Sequence, residues 1–458
     1  MTRTLSDWHN KALPDPPSDP ANPHISPINA LPIELLADIF GNAADGYLDH
    51  YVFDSDFVPF TLTHVCKLWR DVAVDMPILW QRFELRPCVG KGKHTTLASI
   101  CVQRARGRDL SILYHELYFD EIMEGWFCDT TDLPKDVDFC DCPLDFIIDH
   151  ISLVKHLQLT LGGHSISRLA EAIRGIPVAI EALDMAFLYE VPHPEILAPL
   201  YSSPNLKSVR WSATDTGRWP SYTVVCPTDL VWHHLDSLEF FRCPMSHEHL
   251  MDILASASSL QCLKVQLQGM PTLPRGPVRH SAMRSLAIRG DSGPLDDIFS
   301  TFSFPSLQWL FLSAPADQVT VDWPFQDVQL LVRGLEQLQD GLEEFSLTPC
   351  GAVDETTLIR CLQLPQMLRV TSMSLEASRP MITDRLIAEL HPDKDGRCIL
   401  PNLECVILYN CATADGSIAR MLRARRALTG RLKTALVTYI GDIHPLDERV
   451  LWEFRTCL

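Results

Sequence analysis

From residue 154 onward, apolar residues recur in a six-residue pattern, apolar-x-x-apolar-x-apolar. It opens at VKHLQL (154), IEALDM (180), LKSVRW (206), LDSLEF (235), LQCLKV (260) and MRSLAI (283). It continues at LQWLFL (307), LEEFSL (342), VTSMSL (370), LECVIL (403) and LKTALV (432). With 46% of residues apolar, a single match arises by chance in about one window in ten, so the spacing carries the weight. The eleven starts have a mean period of about 28 residues. Pro-Asn-Leu or Pro-Ser-Leu opens the copies at 204, 305 and 401, and Cys243, Cys350 and Cys411 each stand eight residues after a start. The alternation at the end of each pattern predicts a short strand with its apolar side chains on one face. Segments such as SRLAEAIRG, HEHLMDILASA and DRLIAELH predict helices between the strands. Such a unit buries its apolar side only against its neighbours, so the copies must stack. Gaps of 35 and 33 residues, after 307 and 370, mark irregular copies.

The N-terminal part follows a different period. In INALPIELLADIF, Pro32 suits a first helical position because its missing N–H costs nothing there. Ile33, Leu35, Leu36, Ile39, Phe40 and Ala43 then fall within an arc of about 160°, wider than the ~100° that one core contact needs. The segment TLTHVCKLWRDVAVDM predicts a second helix with Leu62, Val65, Cys66, Trp69, Val72, Ala73 and Met76 along one stripe. Pro77 stops it, and Leu79-Trp80 adds an apolar pair. So small a unit has more apolar surface than it can hide internally, and it wants a partner in cis or in trans.

Leu31-Pro32, Glu34, Ile39-Phe40, Val65-Cys66, Trp69-Arg70 and Leu79-Trp80 together resemble the F-box, in the form common in fungal proteins. The resemblance implies that these helices dock on the small Skp adaptor, which joins a cullin scaffold to build a ubiquitin ligase. Leu31, Pro32, Leu35, Ile39, Phe40, Val65 and Trp69 would pack within the unit or on that adaptor. Residues 43–60 make the gap between the two halves longer than usual and are rich in aromatic and acidic groups.

The repeating pattern resembles the leucine-rich repeat, L-x-x-L-x-L-x-x-N/C. The resemblance implies an α/β horseshoe, a solenoid of about eleven irregular repeats. Strand alternation then points Gln158, Asp184, Arg210, Glu239, Lys264, Ala287, Phe311, Ser346, Ser374 and Ile407 away from the core, with Phe241, Trp309 and Tyr409 in a flanking row. In a solenoid these rows line the concave face, where exposed aromatics beside arginine suit binding. Arg210, Glu239, Phe241, Lys264, Trp309 and Phe311 are therefore the candidate substrate contacts.

Charge narrows the function. The chain of 458 residues has 58 acids against 39 bases, a formal charge of −19, which argues against a general nucleic-acid binder. Fifteen cysteines are scattered without a C-x-x-C pair, the habit of a reducing compartment. Cys128, Cys140 and Cys142 have no matching second pair for zinc. No apolar leader and no run of about 18 apolar residues occurs, so no membrane association and a cytoplasmic or nuclear location are expected. The C-terminal RTCL has its cysteine misplaced for prenylation.

Other motifs are weaker than they look. GDSGP at 290–294 lacks one glycine of the trypsin-like nucleophile segment and has no histidine context, so a turn is expected and Ser292 should be inert. HEH at 247–249 and His233-His234 lack metal-ligand spacing and read as surface histidines. Asp393-x-Asp395-Gly396 is an incomplete calcium loop and reads as a turn. Residues 116–145, with ten acids and one lysine, read as a solvated insertion or a contact for a basic partner. Residues 420–433, with six bases, read as a solvated outer helix face.

The expected organisation is a disordered proline-rich leader (1–27), an F-box (28–86) and a leucine-rich-repeat-like domain (87–458). The expected function is that of a non-catalytic substrate receptor of a Skp–cullin–F-box ubiquitin ligase, needing no cofactor or metal and binding an unidentified protein substrate. Two rivals stand beside it: a repeat scaffold whose N-terminal helices only cap the array, and a hydrolase using Ser292.

Overall fold

The computed structural model describes residues 31–45, 58–85, 93–116, 141–187, 199–201, 203–213, 232–270, 276–290, 294–314, 324–348, 353–376, 382–441 and 444–454. The expected leader (1–27) and most of the 43–60 and 116–145 segments lie outside these residues, as does Ser292. The chain divides into two compact units, one of Met1–Trp80 with Arg104–Arg106, the other of Gln81–Gln103 with Gly107–Leu458.

The first unit holds helices Ile33–Asp45, Val58–Val65 and Lys67–Asp75 and a 3-10 turn, Pro77–Trp80. The expected single helix over 61–76 is two helices. They break at Cys66, whose backbone is extended (φ −158°, ψ 173°) and whose Sγ accepts from Trp69 N at 3.5 Å. A thiol acting as helix cap leaves the apolar stripe but satisfies one of the orphan donors of the following helix. Leu36, Phe40, Ala73 and Trp80 form a buried centre. Phe40 packs on Trp69 with ring centroids 4.9 Å apart, and Trp80 Nε1 donates to Ala73 O at 2.8 Å.

The second unit is built on a thirteen-stranded, wholly parallel sheet. Its first strands are β1 (Arg82–Leu85), β2 (Leu110–His115), β3 (Val154–Leu161), β4 (Ala182–Phe187), β5 (Ser208–Ala213), β6 (Ser237–Ser246) and β7 (Cys262–Gln268). The short β8 (Val278–Arg279) pairs outside it with β10 (Phe302–Ser303). β9 (Ser285–Gly290), β11 (Trp309–Ser313), β12 (Glu344–Thr348), β13 (Ser372–Glu376), β14 (Cys405–Cys411) and β15 (Thr434–Tyr439) complete the main sheet. Its spatial order is its chain order. Each of the eleven pattern copies coincides with one of its strands, β3 to β15, and two strands precede them. RFEL (82–85), read with the N-terminal helices from sequence, is β1.

The register explains the repeating pattern. Phe83, Ile112, Leu157, Leu183, Val209, Leu238, Leu263, Leu286, Leu310, Phe345, Met373, Val406 and Ala435 pair in succession across the sheet, all buried. Each is the second apolar position of its copy where a copy was recognised. The hydrogen-bond ladder also continues past the strand ends, as in Asp236 N to Lys207 O and Gln261 N to Asp236 O, both at 2.8 Å. One misplaced position would flip a strand's apolar set to the wrong face.

Acidic side chains join successive helices. Asp296 accepts from Gln326 N and Asp327 N, Glu355 from Thr383 N and Leu386 N, Asp384 from Ala414 N, and Asp415 from Leu446 N. Each carboxylate satisfies backbone donors that a helix start leaves orphaned, and it uses those of the next copy. This helps explain the acidic composition.

Two charged segments differ from their sequence reading. His247 is buried rather than on the surface; its Nδ1 lies 2.9 Å from Oδ2 of the equally buried Asp297. Arg425, within the basic stretch expected to be solvated, is also buried. Its guanidinium donates to Leu390 O at 2.7 Å, Leu400 O at 2.9 Å and Ile399 O at 2.5 Å. The helix it sits on, Ser417–Thr429, turns that residue toward the neighbouring copy, whose carbonyls need donors. Other bases there follow expectation: Arg423 and Arg426 pair with Glu453 at the surface.

Candidate functional site

Two surfaces gather the candidate residues. On the first unit the amphipathic arc splits into an inner and an outer set. Leu36 and Phe40 face the core, while Ile33, Leu35, Ile39, Val65 and Ile78 stand between 45% and 57% exposed. Pro32 is exposed as well, and Leu31 and Trp69 are half-buried. Of the seven candidates, Phe40 is a core residue, and Leu35, Ile39 and Val65 offer bare apolar surface. A small unit gains nothing by showing so many large aliphatic side chains to water, each worth about 1.5–3 kcal/mol if fully covered.

The second surface is the half-exposed face of the sheet. Gln158, Asp184, Arg210, Glu239, Lys264, Ala287, Phe311, Ser346, Ser374 and Ile407 pair strand to strand in one continuous row. Its first part alternates in charge. Arg210 Nε lies 3.0 Å from Glu239 Oε2, its Nη1 3.5 Å from Asp184 Oδ2, and Lys264 Nζ 3.1 Å from Glu239 Oε1. Burial pushes the Asp184 carboxyl above its ordinary value, against the pull of Arg210. From Ala287 on, the row carries no charge. At a strand spacing of about 4.8 Å, Arg210 and Phe311 are roughly 19 Å apart, within reach of one protein partner.

The flanking aromatics do not share a row as expected. Trp309 pairs with Ser285 and Glu344, on the side of the strand starts, whereas Phe241 pairs with Ser212 and Tyr409 with Glu376, toward the strand ends. The six-residue pattern fixes Trp309 two positions before Phe311, and Phe241 two after Glu239, so strand alternation puts them on opposite flanks. Phe241 is exposed; Trp309 and Phe311 are half-buried.

The minor motifs resolve where they are described. Asp393 Oδ1 accepts from Asp395 N at 2.9 Å and Arg397 N at 2.8 Å, closing a turn on Gly396. His233 and His234 are exposed. Cys243 and Cys411, eight residues after their pattern starts and within β6 and at the end of β14, are buried, and burial pushes both thiols up to about 12. They act as packing groups there. No helix among the described residues is long and apolar enough to cross a membrane.

Comparison with known families bears on the first surface. Residues 28–86 match the F-box-like family. The exposed aliphatic set of the F-box-like segment therefore falls within a recognised module, and β1 lies at the end of the matched span. No curated protein matches the chain. Among solved structures, the chain is similar to one from a complex of Rad7 and Elc1 in yeast, at 11% identity and a TM-score of 0.35, over 90% of this chain and 91% of that one.

Proposed function

We propose that this protein is the substrate-receptor subunit of a Skp–cullin–F-box ubiquitin ligase. The observation that carries this reading is the set of exposed aliphatic residues, Ile33, Leu35, Ile39, Val65 and Ile78, on an F-box-like segment whose own core is already filled. That surface docks on a Skp-type adaptor, and through it on a cullin. The parallel strands and their helices act as irregular leucine-rich repeats that hold a protein substrate. The chain contributes proximity: a substrate held beside the ubiquitin-carrying enzyme meets it at an effective concentration far above the free one. The residues proposed to touch substrate are Arg210, Glu239, Phe241, Lys264, Trp309 and Phe311, and the site of action is the cytoplasm or nucleus.

The test is capture of recombinant Skp adaptor by the full chain. Ile39→Asp should abolish capture and leave thermal unfolding unchanged, since Ile39 is exposed. Phe40→Ala should instead cost about 3–5 kcal/mol of stability, as truncation of a buried aromatic does. A wild-type chain that captures no adaptor would favour the rival reading, a repeat scaffold without ligase function, and capture that survives Ile39→Asp together with Leu35→Asp would mean that this aliphatic surface is not the docking site.

A further inference from the structure

The last two described helices bring together a side-chain set that repeat packing uses only in part. Asp415 precedes helix Ser417–Thr429; His444 is the N-cap of helix Pro445–Leu451, and Asp447 lies in its first turn. One ligand atom from each lies within 4.8 Å of the others. Backbone donors hold both carboxylates in place: Asp447 Oδ1 accepts from Ala419 N at 2.6 Å, and Asp415 Oδ1 from Leu446 N at 3.1 Å.

Each acid thus spends one oxygen on helix capping, as elsewhere in the array, and what remains sets this place apart. Asp447 is fully buried, yet its Oδ2 has no hydrogen-bond partner, and neither has the buried Nδ1 of His444. These two atoms are 3.7 Å apart, too far for a hydrogen bond. Two ligands of a tetrahedral ion, each bound at about 2.1 Å, sit roughly 3.4 Å from one another. The Tyr439 hydroxyl is buried against the Asp447 carboxylate, and its ring is 4.9 Å from that of His444. Among the described residues no lysine or arginine is paired with Asp415 or Asp447. Two carboxylates brought this close to one imidazole make a donor set that a cation between them would stabilise.

We propose that Asp415, His444 and Asp447 bind a divalent transition-metal cation, with Zn²⁺ the best match. Two carboxylate oxygens and one imidazole nitrogen suit Zn²⁺, the nitrogen disfavours calcium and magnesium, and the absence of a thiol in the set disfavours copper(I). The ion ties the turn after β15 to the start of the preceding helix. β15 is the last strand of the main sheet and has a neighbour on one side only, so the tie braces an array end that stacking supports from one side.

The experiment uses the full chain, stripped with chelator and titrated with ZnCl₂ while thermal unfolding is followed. Free Zn²⁺ at a hundred times its Kd should raise the Tm by roughly 3 °C. Asp415→Asn keeps a capping oxygen and changes an exposed residue; it and His444→Gln should each remove that rise. The fifteen cysteines offer competing ligands, so the same titration with CoCl₂ identifies the donors. The proposed site gives only weak d–d absorption that is lost in Asp415→Asn, without a thiolate charge-transfer band. A wild-type chain that gains no stability, variants stabilised as much as wild type, or cobalt bound through thiolate alone would each overturn the assignment.

Discussion

Arg210 stands between Asp184 and Glu239 on adjacent strands, its Nε 3.0 Å from Glu239 Oε2 and its Nη1 3.5 Å from Asp184 Oδ2. With Lys264 on the far side of Glu239, four residues alternate in sign across β4 to β7 and sum to no net charge. A partner meeting this row finds spaced hydrogen-bonding groups and little net field. Recognition there would rest on matching those groups, with little electrostatic steering.

The row should add little to folding. Arg210 is half exposed, so Arg210→Ala is expected to cost about 1 kcal/mol or less. Asp184→Asn is expected to leave stability at pH 7 unchanged or slightly higher. Its folded pKa is raised, so the charged form costs stability at neutral pH, and that cost fades as pH falls through the folded value. Urea midpoints of the two variants decide; a large loss in Asp184→Asn would mean that its pairing with Arg210 outweighs its burial.

Asp354 should give stability an acid limb. Its carboxylate accepts from Thr357 N at 3.0 Å and Thr357 Oγ1 at 2.7 Å, and those bonds hold its pKa below the usual carboxylate value. The contribution is then present above the unfolded-state pKa and lost as pH falls through the folded one. Asp354→Ala should cost about 1 kcal/mol at pH 7. The gap between variant and wild type should close as pH falls through the folded-state pKa, and chemical unfolding across an acid-to-neutral pH series would reveal it.

Arg425 should tolerate no substitution, lysine included. Lysine keeps the charge but cannot direct donors at three carbonyls from a planar fork. Arg425→Lys is expected to cost about 2–4 kcal/mol and Arg425→Ala somewhat more, since carbonyls of Leu390, Ile399 and Leu400 lose their donor. A lysine variant that melts with wild type would show that water replaces the guanidinium.

Two glycines of nearly equal φ should respond differently to alanine. Gly341 (φ +76°) would place a Cβ 2.5 Å from the backbone oxygen of Gln366, while Gly396 (φ +77°) has nothing within 4 Å. Gly396→Ala pays only the left-handed backbone cost of about 1–2 kcal/mol. Gly341→Ala must also push a neighbouring chain segment aside. Equal melting of the two variants would mean that the 341–342 turn yields freely, although Leu342 N bonds the same Gln366 oxygen at 2.9 Å.

The amino-acid sequence by itself determined which residues become strands and which way their side chains face. The six-residue pattern locates eleven strands because each repeat buries the same positions, so a local pattern carries the global register. It also separates the F-box-like segment, whose helical period and apolar excess are local properties. It misses β1 because WQRFEL (80–85), although it fits the six-residue pattern, directly follows the N-terminal helices and reads with them, and it misses β2 because Asp109 occupies the first apolar place of its pattern. Cys66 reads as a stripe residue because capping depends on a backbone angle that no spacing reveals. Only the tertiary structure decided which aliphatic residues of the arc stay exposed, as Ile39 and Phe40 are adjacent and equally apolar yet face opposite environments. The same holds for His247 with Asp297, for Arg425 with its three carbonyls, and for Asp415 and Asp447 with the backbone donors of Leu446 and Ala419. Each pairing spans 25 to 50 residues of chain or two helix starts. A charged or polar side chain is stable in such a place only because stacking delivers its partner there, and a polar residue read one at a time looks like surface.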